Sequence, residues 1–271
     1  MKYIFITNHP DTAKIAYQSG VQRFMVDLEI EGKQERQGHV DTFISTHQFS
    51  DISLIRKAVP DAEVLVRLNK YGPHTCQEVE QAVNLGADII MQPFFLSYQD
   101  VLEFSEYIPS DIGFIPLFEH YAVLELLEEI FAIQKISEVY LGLNDLHLSR
   151  QQKFVFEPLA NGDVDLFAAQ AKAANFSFGF GGVAMPGEGD FSAYDVMKEH
   201  ARLGSTRVIL GRAFRKFFEG DSTFSEQEKL MTQALAKLTN AYDQAQRRLS
   251  QEVEIDRLNA FAKIKQIAQN I

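Results

Sequence analysis

Two carboxylates stand just past apolar runs, Glu119 after FIPLF and Asp145 after VYLGLN. Arg67 is set in a third run, EVLVRLN, and Asp27 and Glu29 close a fourth, RFMVDLE. If Glu119 and Asp145 end adjacent strands, both point at one spot. Two hard oxygen ligands with room for water and substrate describe a Mg²⁺ or Mn²⁺ site. No Cys/His cluster has zinc spacing. Arg67 adds a fixed planar cation that can hold a carboxylate or an enolate oxygen. A divalent ion beside an arginine suits an α-keto acid, whose keto and carboxylate oxygens chelate while an enolate forms. Taken singly, each residue has a plainer reading. Asp145 could cap a helix, Glu119 could face a helix dipole, and Arg67 could be a structural ion pair. Their occurrence at neighbouring strand ends favours function.

Elements to carry these residues are legible in the chain. Short β-branched and aromatic runs are expected as strands at 3–7, 23–28, 63–68, 88–93, 113–118, 139–143, 176–181 and 207–211. Amphipathic stretches such as DTAKIAYQSG and CQEVEQAVNLG separate them and end in glycine. Strand–helix alternation of this kind predicts an α/β fold, a (β/α)8 TIM barrel, with its active site at the C-terminal strand ends. A doubly wound open sheet is the rival, but no GxGxxG follows the first strand. Residues 1–220 are expected to form the barrel and 221–271 a long C-terminal helical extension. Ser225 with Glu228 fits a capping box there. Met231, Leu235, Leu238, Tyr242, Ala245 and Leu249 form a heptad seam. A second helical stretch carries Leu258, Phe261, Ile264 and Ile271. The tail could cover its own barrel or another subunit.

Bulk properties narrow the classes. The 271 residues are 46% hydrophobic, enough for a sizeable core. A net charge of −11 argues against nucleic acid or an anionic membrane as partner, though local arginines can still hold a small anion. Cys76 is the only cysteine, which suits a reducing compartment. The apolar start of MKYIFITNHP is short for a signal peptide and no run reaches membrane-spanning length, so a cytoplasmic protein is expected.

The segment FIPLFEHYAVLELLEEIFAIQKISEVYLGLNDLHLS resembles the core of the HpcH/HpaI aldolase and citrate lyase β-subunit family. VDLE (26–29), VLVRLN (64–69) and GADIIMQP (86–93) match that family's earlier strands in order and spacing, and the resemblance covers roughly residues 20–215. It implies a phosphoenolpyruvate/pyruvate-type barrel with a divalent metal, and aldol or Claisen-type cleavage through a pyruvate-like enolate. By matching position it implies Glu119 and Asp145 as metal ligands, and Arg67 as the arginine that holds the keto acid and its enolate. Glu29 becomes the acid near the metal-bound water. The eighth helix of that family is often exchanged between subunits, which points to a homo-oligomer.

Departures from the pattern locate the open question. The aldolases carry a His directly after the strand-two Glu and an Asp on the next helix; here Ile30 and Asn84 stand there. The segment 29–47 instead offers Glu31, Lys33, Arg36, His39 and His47. It is either a solvated lid or the source of a replacement acid/base. Imidazole chemistry near neutral pH favours a histidine, and His39, preceded by Gly38 and nearer the strand end, is preferred to His47. The citrate lyase branch begins with an Arg-Ser and an F-x-P-G turn, whereas this chain has YIFITNHP, so CoA-ester cleavage ranks below aldol cleavage. The glycine-rich stretch 181–192, with Gly182, and Arg212 after strand eight could hold a phosphate or carboxylate, or be ordinary turn chemistry. The expected function is therefore a divalent-metal-dependent aldolase acting on a small α-keto acid or sugar acid. The alternatives are an acyl-CoA lyase and a catalytically silent barrel.

Overall fold

The computed structural model describes residues 1–30, 46–218 and 222–271. Eight parallel strands close into a barrel in chain order: β1 (Lys2–Ile6), β2 (Arg23–Asp27), β3 (Glu63–Arg67), β4 (Ile89–Gln92), β5 (Gly113–Phe118), β6 (Glu138–Leu141), β7 (Ser177–Val183) and β8 (Arg207–Leu210). β8 returns to pair with β1. The helices between them are α1 (Pro10–Gln18), α2 (Phe49–Ala58), α3 (Thr75–Asn84), α4 (Tyr98–Glu106), α5 (Leu127–Phe131), α6 (Leu143–Ser149), α7 (Glu157–Ala160), α8 (Asp163–Ala173) and α9 (Ala193–Leu203). Local chemistry sets their ends. Ser97 and Asp100 form a reciprocal capping box at α4, and Gly204 closes α9 at φ 77°. The expected (β/α)8 barrel is the observed one. β6 is shorter than the run VYLGL suggests. Gly142 leaves the strand, its N–H reaching Phe118 O at 2.7 Å while its C=O takes the Leu146 N–H, so Leu143 already opens α6.

Inward-facing residues step by two along each strand and form layers. Ile4, Met25, Leu65, Ile89, Ile115 and Tyr140 fill the middle. Registration of β2 on β3 then sets Arg23 beside Glu63, Met25 beside Leu65 and Asp27 beside Arg67. Charge thus sits at both ends of an apolar plug. At the N-terminal end Arg23, 1% exposed, bonds Glu63 at 2.7 Å and both oxygens of Glu138 at 2.9 and 2.8 Å. Lys2 and Arg207 complete this cluster.

This end of the barrel carries a stability prediction. Burial alone would raise the Glu138 carboxyl, but Arg23 and Arg207 hold it down at about 2 against its ordinary 4.5. A depressed carboxylate stabilises the fold above its unfolded pKa and loses that contribution as pH falls toward the folded value. The contribution is therefore complete above pH 4.5 and fades toward pH 2. Its size is on the order of 3 kcal/mol. Glu138→Gln, which leaves a buried guanidinium half-paired, should cost about 3 kcal/mol at neutral pH and flatten the acid limb of the stability curve. Urea unfolding at several pH values checks both; a variant as stable as the parent would remove the network's role.

After β8 come a 3₁₀ turn (Arg212–Phe218) and two long helices, α10 (Phe224–Gln246) and α11 (Ser250–Asn270). The cap of α10 is Thr223 with Glu226, not Ser225 with Glu228. The sequence offers both boxes two residues apart, and the helix starts at the earlier one. Met231, Leu235, Leu238, Tyr242 and Ala245 are buried, whereas Leu249 is 71% exposed as the cap of α11. The seam faces its own barrel. α10 packs on α9 and α1, Tyr242 donates to Ser205 O at 2.9 Å, and Tyr3 meets Thr239 at 2.9 Å. A second subunit is not needed to cover it. α11 buries Ala260 and Ile264, leaves Leu258 and Ile271 exposed, and packs on α7 and α9. The expected boundary at 220/221 falls outside the described residues.

Candidate active site

Arg67, last residue of β3, is clamped. Its Nε and Nη2 donate to the two oxygens of Asp27 at 2.8 Å each, and Nη1 lies 3.2 Å from Glu29 Oε2. Burial works against the charge, yet Asp27, Glu29 and Glu119 hold the guanidinium proton far above its usual range. A guanidinium has five N–H groups, and these contacts use three. Glu29, 2% exposed, sits against Arg67 and is not among the residues lining the cavity described below.

Glu119 follows β5 directly. Its Oε1 accepts the Phe94 N–H at 2.8 Å, at a residue whose φ of 28° is one that bulky side chains rarely adopt. Asp145 lies in the first turn of α6, so the carboxylate is both a helix-start residue and a cavity residue. Gly142, just after β6, sits against Glu119: a Cβ there would lie 3.0 Å from Glu119 Cβ and 3.1 Å from Glu119 Oε2, so a larger residue would press on the Glu119 side chain.

Glu119, Asp145, Arg67, Asp27, Gly182 and Arg212 line one cavity of about 560 Å³ at the C-terminal end of the barrel. Among the described residues, no group of three or more His, Cys, Asp or Glu is set to hold a metal ion. While one buried carboxylate on the cavity wall, Asp27, is paired with Arg67, Glu119 and Asp145, both buried, offer the cavity carboxylate oxygens. That all-oxygen pair fits Mg²⁺ or Mn²⁺, which keep several waters or substrate oxygens in their octahedron.

His39 lies outside the described residues, as do Glu31, Lys33 and Arg36. His47 is buried, and its Nδ1 accepts the Asp27 N–H at 3.0 Å. Burial pulls its imidazole below the ordinary range; Asp27 and Asp51 oppose this and Arg215 adds to it. The ring is thus neutral near pH 7 with its hydrogen on Nε2 and its lone pair committed to the Asp27 backbone. It lines a second cavity, with Thr7, His9 and Arg215, rather than the first. Sequence reasoning assigned no role to Asp27 or Arg215. Asp27 was readable from the opposed charge patterns R-x-M-x-D and E-x-L-x-R on consecutive strands. Arg215 stands three residues beyond Arg212, on the same 3₁₀ turn, and borders both cavities.

No protein-family model matches the sequence, and no curated protein matches it. Solved structures do. An HpcH/HpaI aldolase from Desulfitobacterium hafniense superposes with a TM-score of 0.60 at 16% identity, covering 78% of this chain and 85% of its own. An HpcH/HpaI aldolase/citrate lyase family protein from Burkholderia cenocepacia gives 0.61 at 14% identity over 88% and 94%. The fold is that of the HpcH/HpaI aldolases. Protein CitE from Mycobacterium tuberculosis, in complex with magnesium and pyruvate, shares this barrel fold with a TM-score of 0.57 at 15% identity over 96% and 97% of the chains. These likenesses match the family that the motifs around Glu119 and Asp145 resemble.

Proposed function

We propose that the chain is a divalent-metal-dependent aldolase that cleaves or forms an aldol of pyruvate or a related α-keto acid. The observation that carries this reading is the convergence of Glu119, Asp145 and the clamped Arg67 on one cavity at the C-terminal barrel face. A solved neighbour of the same fold holds magnesium and pyruvate. Glu119 and Asp145 would hold the ion, which when bound supplies Lewis-acid stabilisation of charge on the keto oxygen. Arg67 presents its remaining N–H groups to the substrate carboxylate or enolate oxygen. Asp27 and Glu29 fix its plane, so little reorientation accompanies charge development. The apolar residues of the cavity keep bulk water from the carbanion-like carbon.

In the cleavage direction the C4 hydroxyl loses its proton and the C3–C4 bond breaks. The electron pair stays with the pyruvate fragment as its enolate, and C4 leaves as an aldehyde carbonyl. The proton acceptor is assigned to His39 on sequence grounds, because the His47 lone pair is occupied. His39→Ala should then abolish turnover and leave Mn²⁺ binding intact, with His47→Ala milder. The reaction is tested with 4-hydroxy-2-oxopentanoate, the aldol of pyruvate and acetaldehyde, by following pyruvate release. Release that requires Mg²⁺ or Mn²⁺ and stops with a chelator supports the aldolase; none under any metal supports the silent-barrel alternative.

A further inference from the structure

Three arginines line the cavity among the described residues, Arg67, Arg212 and Arg215, and the proposed aldol step uses only the first. Arg212 and Arg215 stand three residues apart on the 3₁₀ turn that follows β8. A 3₁₀ helix has three residues per turn, so side chains at i and i+3 eclipse and leave from one face. Both of these reach the cavity. The closed ring sets where they stand. Arg67 ends β3, Asp27 ends β2, Ile6 ends β1, and β8, just before the arginine turn, pairs with β1. Contacts run along this arc. Arg67 grips Asp27 at 2.8 Å, and Arg215 Nη2 donates to Ile6 O at 3.4 Å.

The two cations feel each other. Burial and the Arg212 charge push the Arg215 guanidinium below its usual range, and Asp27 opposes them. Like charges on one cavity repel more strongly as water is excluded. An anion shared between them replaces that repulsion with two attractions. Both side chains have other interactions as well. A guanidinium carries five N–H groups in a planar fork, so it bonds along more than one edge. The carboxylate of the keto acid does not account for this second pair of cations, because Arg67 and the ion meet it.

Charge and shape select the anion. A carboxylate brings one negative charge and two oxygens, which a single guanidinium fork satisfies. A phosphate group brings nearly two charges and three acceptor oxygens, a match for two forks. Position agrees by analogy, since (β/α)8 barrels often hold phosphate at the loops after strands seven and eight. We propose that Arg212 and Arg215 form a phosphate subsite for the acceptor half of the substrate, so that the acceptor is a phosphorylated aldehyde. This rests on the aldolase reading and names its substrate class.

The test is calorimetric titration of the full chain with Mg²⁺ and a matched series that carries no aldol to cleave: 2-oxopentanoate, 2-oxoadipate and 5-phosphono-2-oxopentanoate. These put hydrogen, carboxylate and phosphonate on the same keto-acid chain. The phosphonate should bind about tenfold to a hundredfold tighter than 2-oxopentanoate, the gain from hydrogen bonds to charged groups, and tighter than 2-oxoadipate. Added salt should shrink that advantage. Arg212→Gln and Arg215→Gln should each bring the phosphonate-to-2-oxopentanoate ratio toward one, and Arg212→Lys should keep more of it. Because Arg215 also bonds Ile6, Arg212→Gln decides should the other variant fail to fold. A purely structural role would weaken all three ligands together and leave the ratio unchanged. An unchanged ratio in folded Arg212→Gln, or no phosphonate advantage in the parent, overturns the subsite. Binding of 2-oxoadipate as tight as the phosphonate overturns the choice of phosphate over carboxylate. In each of these cases Mg²⁺-dependent binding of 2-oxopentanoate keeps the aldolase reading, and its absence overturns that reading and the acceptor assignment with it.

Discussion

Arg67→Lys lowers kcat/KM for pyruvate release by about 10²-fold or more, the loss expected when a preorganised donor to a developing oxyanion is removed. The side chain does two things at once. Nε and Nη2 grip Asp27 through two parallel bonds, Nη1 reaches Glu29, and the same plane edges the cavity. Lysine carries the charge but has one nitrogen and no fork, so it cannot engage both acids and still face the substrate. Whichever carboxylate it leaves would be a buried charge without its cation, since Asp27 and Glu29 are both buried. Charge conservation is therefore a poor rescue here. Steady-state kinetics on a variant whose circular dichroism matches the parent decides the matter. Turnover near that of the parent would refute the role.

Glu119→Gln and Asp145→Asn each weaken Mn²⁺ binding by on the order of 100-fold or more, at or above the top of the roughly 10–100-fold range for losing an outer-shell partner. Each substitution would remove one of the two negative donors proposed to hold the ion. The glutamine variant is a clean probe of charge. Its side-chain oxygen can still accept the Phe94 N–H, so that contact is kept. Asparagine at 145 likewise keeps the size of the first-turn residue of α6. Calorimetry with Mn²⁺ reads both, and unchanged affinity in the pair would sink the assignment of these ligands.

The barrel was legible because β-branched runs and amphipathic stretches alternate along the whole chain, and every expected strand is present within a few residues. Where the reading slipped, local chemistry offered two equal choices. Two overlapping S/T-x-x-E patterns compete at the start of α10, and LGLN reads equally as strand or helix start until the Gly142–Phe118 bond is known. The heptad seam was visible, but periodicity says only that a face is apolar. That it packs on α9 and α1 of the same chain depends on where the barrel puts those helices. Glu119, Asp145, Arg67, Gly182 and Arg212 share a cavity as their positions at strand ends suggest. The Asp27 clamp went unread because it is a cross-strand relation, set by the register of β2 on β3 rather than by either strand alone. Nor could the His47 lone pair's commitment to a backbone amide be seen from spacing, since it joins a residue before α2 to the end of β2.

The central claim is that this cavity makes an enolate of pyruvate, and exchange of the pyruvate methyl protons into D₂O measures that step without needing the acceptor aldehyde. Followed by proton NMR, the methyl signal should fade well above the solvent rate with Mg²⁺ or Mn²⁺; this exchange should stop with a chelator and be absent in Arg67→Lys, whose methyl signal persists. Methyl protons that persist at the uncatalysed rate with every divalent ion, or that exchange equally well in the presence of chelator, would contradict the account.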